Sequence, residues 1–414
     1  MSAMEYFDSL EVRDPAQRER ELFAALPEHI AHAKARAPYF AKALAGVEPR
    51  DVTNRRALAA LPVTRKSDLH ALQQAAPPFG GVNAVVPGAL AKIFVSPGPI
   101  YDAEGRQADY WRTARALFAA GFRAGDIVQN CFSYHLTPAG SMMEGGLVAL
   151  GCAVIPGGVG QTELQVSTMA DLRAVGYAGT PSFLKLILDK AEDLKRDLSF
   201  LKKALVSGEA FPAPLREHFA ARGIQAFQSY ATADLGTVAY ETEAREGLVI
   251  DERVIVEIVR PGTGDPVPEG EVGEVVATVF SREYPLIRFA TGDLSALLPG
   301  LSPCGRTNQR IKGWMGRADQ TTKIRGLFVH PHQVADIVKR FPSIQRARLV
   351  VDNPDGDDRM RVLCALAASA PDGLKRQIEV AIREVTRLRG DVEFVEDRSL
   401  PNDGKVIEDA RKVG

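Results

Sequence analysis

In the stretch RERELFAALPEHIAHAKARAPYFAKAL the apolar residues Leu22, Leu26 and Ile30 recur every fourth position. That period predicts an amphipathic helix. Pro27 falls inside the run and is expected to break or kink it. From about residue 90 the pattern changes to short β-rich runs, KIFV, DIVQNCF, CAVIP, KALVS and IQAFQ, alternating with helical stretches such as DYWRTARALFAA and TPAGSMMEGGLVAL. Strands alternating with helices predict parallel strands joined by crossover helices, an α/β architecture. Between about 247 and 298 the runs LVIDERVIVEIV, EVGEVVATVF and PLIRFATGDLSALL follow one another through turns such as RPGTGDPVPEG, which predicts antiparallel strands.

After RIKGWMGRADQ the texture changes again. KIRGLFVH reads as a strand, PHQVADIVKRF as a helix, ARLVV and RVLCALAA as strands, LKRQIEVAIREVTRL as a helix and DVEFV as a strand. This β-α-β-β-α-β order is that of a small ferredoxin-like α+β unit. A boundary near Gly313 to Asp319 follows, giving a large domain over 1–314 and a small one over 315–414. The length of 414 residues, beyond the size at which one core stops growing, agrees with more than one domain.

Composition removes several function classes. Apolar content of 45% with 25% charged residues is that of a folded soluble protein. With 51 Lys and Arg against 52 Asp and Glu, the net charge of -1 offers no broad attraction to nucleic acid or to an anionic membrane. The opening MSAMEYFDSLEVRDPAQRERE lacks a basic stretch followed by an apolar core, and no run of about eighteen apolar residues occurs, so a cytoplasmic protein is expected. Cys131, Cys152, Cys304 and Cys364 are too scattered to build a zinc site and read as buried thiols.

Four polar clusters lie where strands end or turn, the usual place for ligand sites in open α/β sheets: SGEAF at 207–211, SYATADLG at 229–236, RFATGDL at 288–294 and GRADQTTKIRG at 316–326. Near the C-terminus PNDGK places Lys405 after a Pro- and Gly-marked turn. Together with ARAPYF, LPVTRKSDL, GGVGQTELQ, TPSFL and REYPLIRFATGDLSAL, these segments make the chain resemble the adenylate-forming (acyl-CoA synthetase-like) superfamily. The closest likeness is to its phenylacetate-CoA ligase branch, with the related coenzyme F390 synthetases. The likeness runs nearly end to end. It implies a large N-terminal domain with the acid and nucleotide pockets, and a small C-terminal domain that turns between two half-reactions.

The resemblance also implies roles for individual residues. Asp293 would hold the ribose, since a carboxylate is an acceptor-only group suited to a diol; read alone, it is equally a turn aspartate. Gly208, Glu209 and Ala210 would form the adenine-facing turn, where a missing Cβ lets the backbone approach the base. Ser229, Tyr230, Ala231 and Thr232 would line the nucleotide, with Tyr230 against adenine and Thr232 near the α-phosphate. Asp234, where the family more often has Glu, would help hold Mg²⁺. Arg317 would contact the ribose, and Asp319 would be the hinge. Lys323 and Arg325 would contact nucleotide or coenzyme A phosphates, or form a solvated basic edge. Tyr134, His135, Ala139, Gly140 and Phe211 would wall a pocket for a flat aryl acid. Lys405 would be catalytic: a cation between an attacking carboxylate and the α-phosphate offsets the repulsion of two anions.

One segment departs from the pattern. Where the superfamily has a phosphate loop like Ser-Ser-Gly-Thr-Thr-Gly-Lys-Pro, this chain has VSPGPIYDAEGR, keeping only Ser96 and Gly98 in register. Pro97 and Pro99 remove N–H donors, and Asp102 stands where the lysine would be. If Asp102 faced the triphosphate it would repel it. Ser302, Pro303, Cys304 and Gly305 replace the Cys-Pro-Cys-Gly common in the F390-type relatives, so no metal is expected there. Three readings remain: an aryl-acid ligase using ATP, Mg²⁺ and coenzyme A; an adenylate-forming enzyme delivering to an amine or hydroxyl acceptor; or a non-catalytic homologue that binds nucleotide. The resemblance is also compatible with a homodimer.

Overall fold

In the computed structural model, residues 5–96, 99–324, 327–352, 358–367, 370–401 and 405–411 are described, apart from the side chains of Asp319, Lys323 and Phe328. The chain divides into two compact units. One comprises Met1–Thr291 with Ser295–Trp314, the other Gly292–Leu294 with Met315–Gly414.

The large unit opens on the helix Pro15–Arg36. Asp14 caps it by accepting from the Gln17 amide at 2.9 Å, and Pro15 takes the first turn, where its missing N–H costs nothing. The helix runs unbroken through Pro27, contrary to the sequence expectation. The reason is packing. An interior proline costs about 3 kcal/mol, whereas fully burying each of Leu26 and Ile30 returns about 1.5–3 kcal/mol. Phe23 and Ala33 extend the buried face.

A nine-stranded sheet organises this unit. Its parallel part has the order Ala153–Pro156, Ile127–Asn130, Gly176–Gly179, Lys203–Val206, Gln225–Thr232. The strand Gly176–Gly179 has no β-branched run and is not evident from the pattern. Its glycine suits its surroundings, because a Cβ on Gly176 would come within 2.5 Å of the Phe122 ring. Beyond Gln225–Thr232 the sheet continues antiparallel through Gly236–Glu241, Leu248–Ile250, Arg310–Ile311 and Leu297–Leu298. A second sheet, of four strands, is ordered Thr64–Arg65, Phe289–Ser295, Gly273–Val279, Val254–Val259.

The KIFV run does not join the parallel sheet. Lys92–Ser96 pairs antiparallel with Ile100–Glu104, from Lys92 against Glu104 to Ser96 against Ile100. The pairing of Ser96 with Ile100 shows that the chain reverses between them instead of leading to a crossover helix.

In the small unit a four-stranded sheet runs Asp391–Val395, Arg359–Leu366, Ile344–Asp352, Ile407–Asp409. The helices Pro331–Arg340 and Leu374–Thr386 bury Val334, Ile337, Ile378 and Ile382 in a core with Leu349, Val351 and Val362. The expected helix and strand order is present, with one difference. KIRGLFVH forms a separate hairpin, Thr322–Ile324 against Leu327–Val329, and the fourth place in the sheet goes to Ile407–Asp409, which pairs parallel with Ile344–Asp352. Among the described residues no helix is long and apolar enough to cross a membrane.

Candidate active site

The parallel strands end together, and the 207–211 and 229–236 clusters sit at those carboxyl ends. In doubly wound sheets ligands bind there, where the strand order reverses. Reversal here lies between Ile127–Asn130 and Gly176–Gly179, because the strand next in sequence after Ile127–Asn130 is added on its other side.

At the end of Ile127–Asn130, buried Asn130 donates from Nδ2 to the Tyr134 hydroxyl at 2.7 Å and to the Gly140 carbonyl at 2.8 Å. Gly140 in turn donates to the Ser133 carbonyl at 3.0 Å. A Cβ on Gly140 would meet both that carbonyl and the Tyr134 ring at 2.8 Å, so only glycine lets the helix Ala139–Ala149 start this close. Tyr134, Ala139 and Gly140 are thus brought together. Burial, and then the neighbouring Glu144, push the Tyr134 phenol up, keeping it a neutral hydrogen-bonding group. His135 points to solvent, its amide donating to Ser133 Oγ at 3.2 Å. Phe211 is 7% exposed and stacks on Phe219 beneath the Arg216 guanidinium, so it is a core residue as placed and does not join the Tyr134 group.

The next strand end carries the turn that the resemblance assigns to the nucleotide. Gly208 adopts φ +85°, a conformation that glycine tolerates, and Gly208, Glu209 and Ala210 are all exposed. Glu209 accepts from the Ser182 amide at 2.6 Å, joining this turn to the start of the helix Pro181–Asp193. Ser207 donates from Oγ to the Ser229 carbonyl at 2.8 Å, tying the 207–211 cluster to SYATADLG. Tyr230 is 8% exposed, and its hydroxyl donates to Thr291 Oγ1 at 3.1 Å. A bulge between Tyr230 and Ala231 turns Ala231 toward the cluster of Phe94, Trp111 and Met142. Thr232 accepts the Leu235 amide at 3.0 Å and closes the tight turn that carries Asp234.

That turn reveals a residue for which sequence reasoning assigned no role. Lys66, the first residue of the helix Lys66–Ala75, donates from Nζ to Asp234 Oδ2 at 2.6 Å. The Asp234 side chain is fully buried, and its Oδ1 has no hydrogen-bond partner. Carboxylate and hydroxyl oxygens at Asp234 and Thr232 are the donors a hard cation prefers, so these residues fit Mg²⁺. Asp102 lies close by, 0% exposed, with neither carboxyl oxygen hydrogen-bonded. Burial, and then the charge of Asp234, push the pKa of the Asp102 carboxyl well above the usual carboxylate range, which favours its neutral form. Repulsion would require Asp102 to face a ligand, whereas in the structure its side chain is sealed from solvent. Glu104, further along the same strand, is likewise engaged, accepting from Lys92, Trp111 and Ser141.

The remaining candidates group with the small unit. Arg317 donates from Nη1 to Asp293 Oδ1 at 3.1 Å, and the two residues also form an antiparallel bridge. Asp319 lies in the 3-10 turn Ala318–Gln320, and Lys323 in the strand Thr322–Ile324. Lys405 is exposed, and the amide of the adjacent Val406 donates to Gln320 Oε1 at 2.8 Å. Pro97, Gly98, Arg325 and residues 402–404 of PNDGK lie outside the described residues. Cys131, Cys152, Cys304 and Cys364 are buried free thiols.

Comparison with known proteins agrees with this geometry. The family described as AMP-binding enzyme matches residues 109–278. Phenylacetate-coenzyme A ligase of Aromatoleum evansii is 32% identical over 344 residues, covering 79% of this chain and 76% of the relative. The Thermus thermophilus protein of the same name is 32% identical over 349 residues, with 78% and 77% covered. Among solved structures, an open conformation of 2-hydroxyisobutyryl-CoA ligase in complex with 2-HIB-AMP and CoA shares the fold, with TM-score 0.86 and 23% identity over 98% of this chain and 95% of that one. With the glycine turn, the Thr232–Asp234 turn and the Asp293–Arg317 pair all in the order of the family's motifs, the chain belongs to the phenylacetate-CoA ligase family of adenylate-forming enzymes.

Proposed function

We propose that the chain is an ATP-dependent, AMP-forming ligase that activates an aromatic carboxylic acid, phenylacetate- or benzoate-like, and passes the acyl group to coenzyme A. The observation that carries this reading is 32% identity to a phenylacetate-coenzyme A ligase over 79% of this chain and 76% of the relative. In the first half-reaction a carboxylate oxygen attacks the α-phosphorus of ATP, and pyrophosphate leaves with its bonding electrons. In the second, the coenzyme A sulfur attacks the acyl carbonyl, AMP leaves and the thiol proton is lost to solvent.

The roles divide by chemistry. Gly208, Glu209 and Ala210 border adenine, with Ser229, Tyr230, Ala231 and Thr232 along the nucleotide. Asp293 and Arg317 take the ribose. Asp234 would hold Mg²⁺, which supplies positive charge against the phosphates when bound. Tyr134, Ala139 and Gly140 offer a small, flat wall to an aryl ring. Lys405, carried by the small unit with Asp319 as its hinge and Lys323 on its basic edge, stabilises the charge that develops during adenylation. The protein's partners are then small molecules, the aryl acid, ATP and coenzyme A.

The test is a panel of aryl acids assayed for acid-dependent ATP/pyrophosphate exchange and for thioester formation with coenzyme A. Exchange with at least one aryl acid, followed by thioester, is expected. Nucleotide binding with no exchange for any acid would instead support the non-catalytic reading, and exchange without thioester the transfer to another acceptor.

A further inference from the structure

The altered loop leaves an open question of charge: the triphosphate needs a cation, and the position that supplies it in the superfamily is Asp102, sealed from solvent. We propose that Lys66 supplies it, as a phosphate-contacting residue held in reserve on Asp234. This deepens the ligase reading above and rests on it.

Three observations converge on Lys66. First, its helix is fastened to the altered loop. His70 Nδ1 contacts the Pro99 carbonyl at 3.0 Å, and the Gln73 amide group binds Tyr101 twice, donating to its carbonyl at 2.9 Å and accepting from its N–H at 2.8 Å. Residues four apart share a helix face, so Lys66 projects from the face on which His70 meets the loop. Second, its ammonium is already at the phosphate end of the nucleotide turn, 2.6 Å from Asp234 and thus two residues along from Thr232. Third, the Lys66 side chain is 25% exposed whereas that of Asp234 is 0% exposed, so of the two it is Lys66 that opens to solvent.

Lys92 is the alternative cation on the same hairpin, and its place is wrong. It pairs with Glu104 at the open end, four residues before Ser96, about 13 Å along the strand from the turn. Lys66 belongs to the helix whose His70 and Gln73 meet Pro99 and Tyr101, and Lys92 does not. An ammonium on a four-carbon stem can swing between two anionic partners without moving the backbone. When nucleotide enters, Lys66 moves from Asp234 to the β- and γ-phosphates, and Asp234 is the carboxylate that would then hold Mg²⁺.

The experiment compares ATP with AMP, which differ by the two phosphates that Lys66 would hold. Affinities for both are measured by titration calorimetry on the full chain, with Mg²⁺ present throughout, for the wild type and for Lys66→Met, Lys66→Arg and the double variant Lys66→Met, Asp234→Asn. Lys66→Met is expected to weaken ATP about 10- to 100-fold, the value of a charge-assisted hydrogen bond, and to leave AMP within about two-fold. Lys66→Arg should keep most of the ATP affinity. The double variant removes the Asp234 charge together with its partner, so it guards against misfolding, and its ATP-to-AMP ratio should fall below that of Asp234→Asn alone, measured alongside because that change by itself alters the place given to Mg²⁺. Unchanged ATP affinity in Lys66→Met, or equal losses for ATP and AMP in both Met variants, overturns the assignment. A wild type that binds neither nucleotide would sink the ligase reading itself, whereas one that binds both and tolerates Lys66→Met sinks only this inference.

Discussion

Arg317 and Asp293 meet at 3.1 Å between Nη1 and Oδ1, and their backbones bridge as well. A carboxylate is an acceptor-only group with about four acceptor sites, the chemistry that suits the two hydroxyls of a ribose. If that is its work, Asp293→Ala should lower AMP affinity about 10- to 100-fold, the value of charge-assisted hydrogen bonds. Titration calorimetry with AMP checks this, and unchanged affinity would return Asp293 to the status of a turn aspartate.

Gly140→Ala should be costly for its size. The new Cβ would meet the Ser133 carbonyl and the Tyr134 ring at 2.8 Å, and the first of these is backbone that cannot step aside cheaply. Overpacking of this kind costs about 1–3 kcal/mol. Denaturant unfolding reads the loss. The same change should raise KM for the aryl acid, because Tyr134 and the start of the helix Ala139–Ala149 would be forced apart.

The start of the chain is fixed by a buried charge. Glu11, 0% exposed, accepts from the Tyr240 hydroxyl at 2.7 Å and from Arg306 Nε at 3.1 Å, and Arg306 is itself 1% exposed. Removing one member of a buried pair costs about 3–5 kcal/mol, and here the ion pair left to Arg306 would be the longer one with the more exposed Glu243, at 3.6 Å. Glu11→Ala is therefore expected to destabilise the protein by about that amount, and more than Glu28→Ala, whose pair with Arg282 is largely exposed. Parallel unfolding curves of the two variants decide it.

Acid should weaken the packing of the Pro15–Arg36 helix through His29. Burial, and then the charges of His32 and Arg282, lower its pKa from 6.5 to about 4. The fold thus favours the neutral ring. Its contribution is complete above 6.5, where folded and unfolded chains are both neutral, and is lost as pH falls toward 4, where the unfolded chain takes up the proton first. A shift of this size corresponds to about 3 kcal/mol. His29→Leu should flatten the stability profile between those two pH values, and an unaltered slope would contradict the assignment.

How much of this was legible in the residues varies with the kind of signal. Leu22, Leu26 and Ile30 announced their helix, because periodicity reports burial directly. Pro27 misled, because propensity is local and the core that outweighs it is not. KIFV read as a sheet strand, although the turn that reverses it was visible in its own prolines. Gly176–Gly179 gave no strand signal, since Gly176 answers to Phe122, a neighbour remote in sequence. Among candidate site residues, those defined by a turn, such as Gly208 and Asp234, lie where turn chemistry put them. Phe211 does not, because whether an aromatic lines a pocket or fills a core depends on what packs against it, here Phe219 and Arg216. Lys66 was hidden for the same reason: its importance comes from Asp234, 168 residues away.

The central claim is that a carboxylate is joined to AMP with help from Lys405, and it is tested most directly by acid-dependent ATP/pyrophosphate exchange in the wild type and in Lys405→Ala. Only adenylation drives two anions together, so loss of the cation should reduce exchange by about 100-fold or more, while thioester formation from preformed acyl-adenylate and coenzyme A persists. Exchange that continues at the wild-type rate in Lys405→Ala would contradict the account.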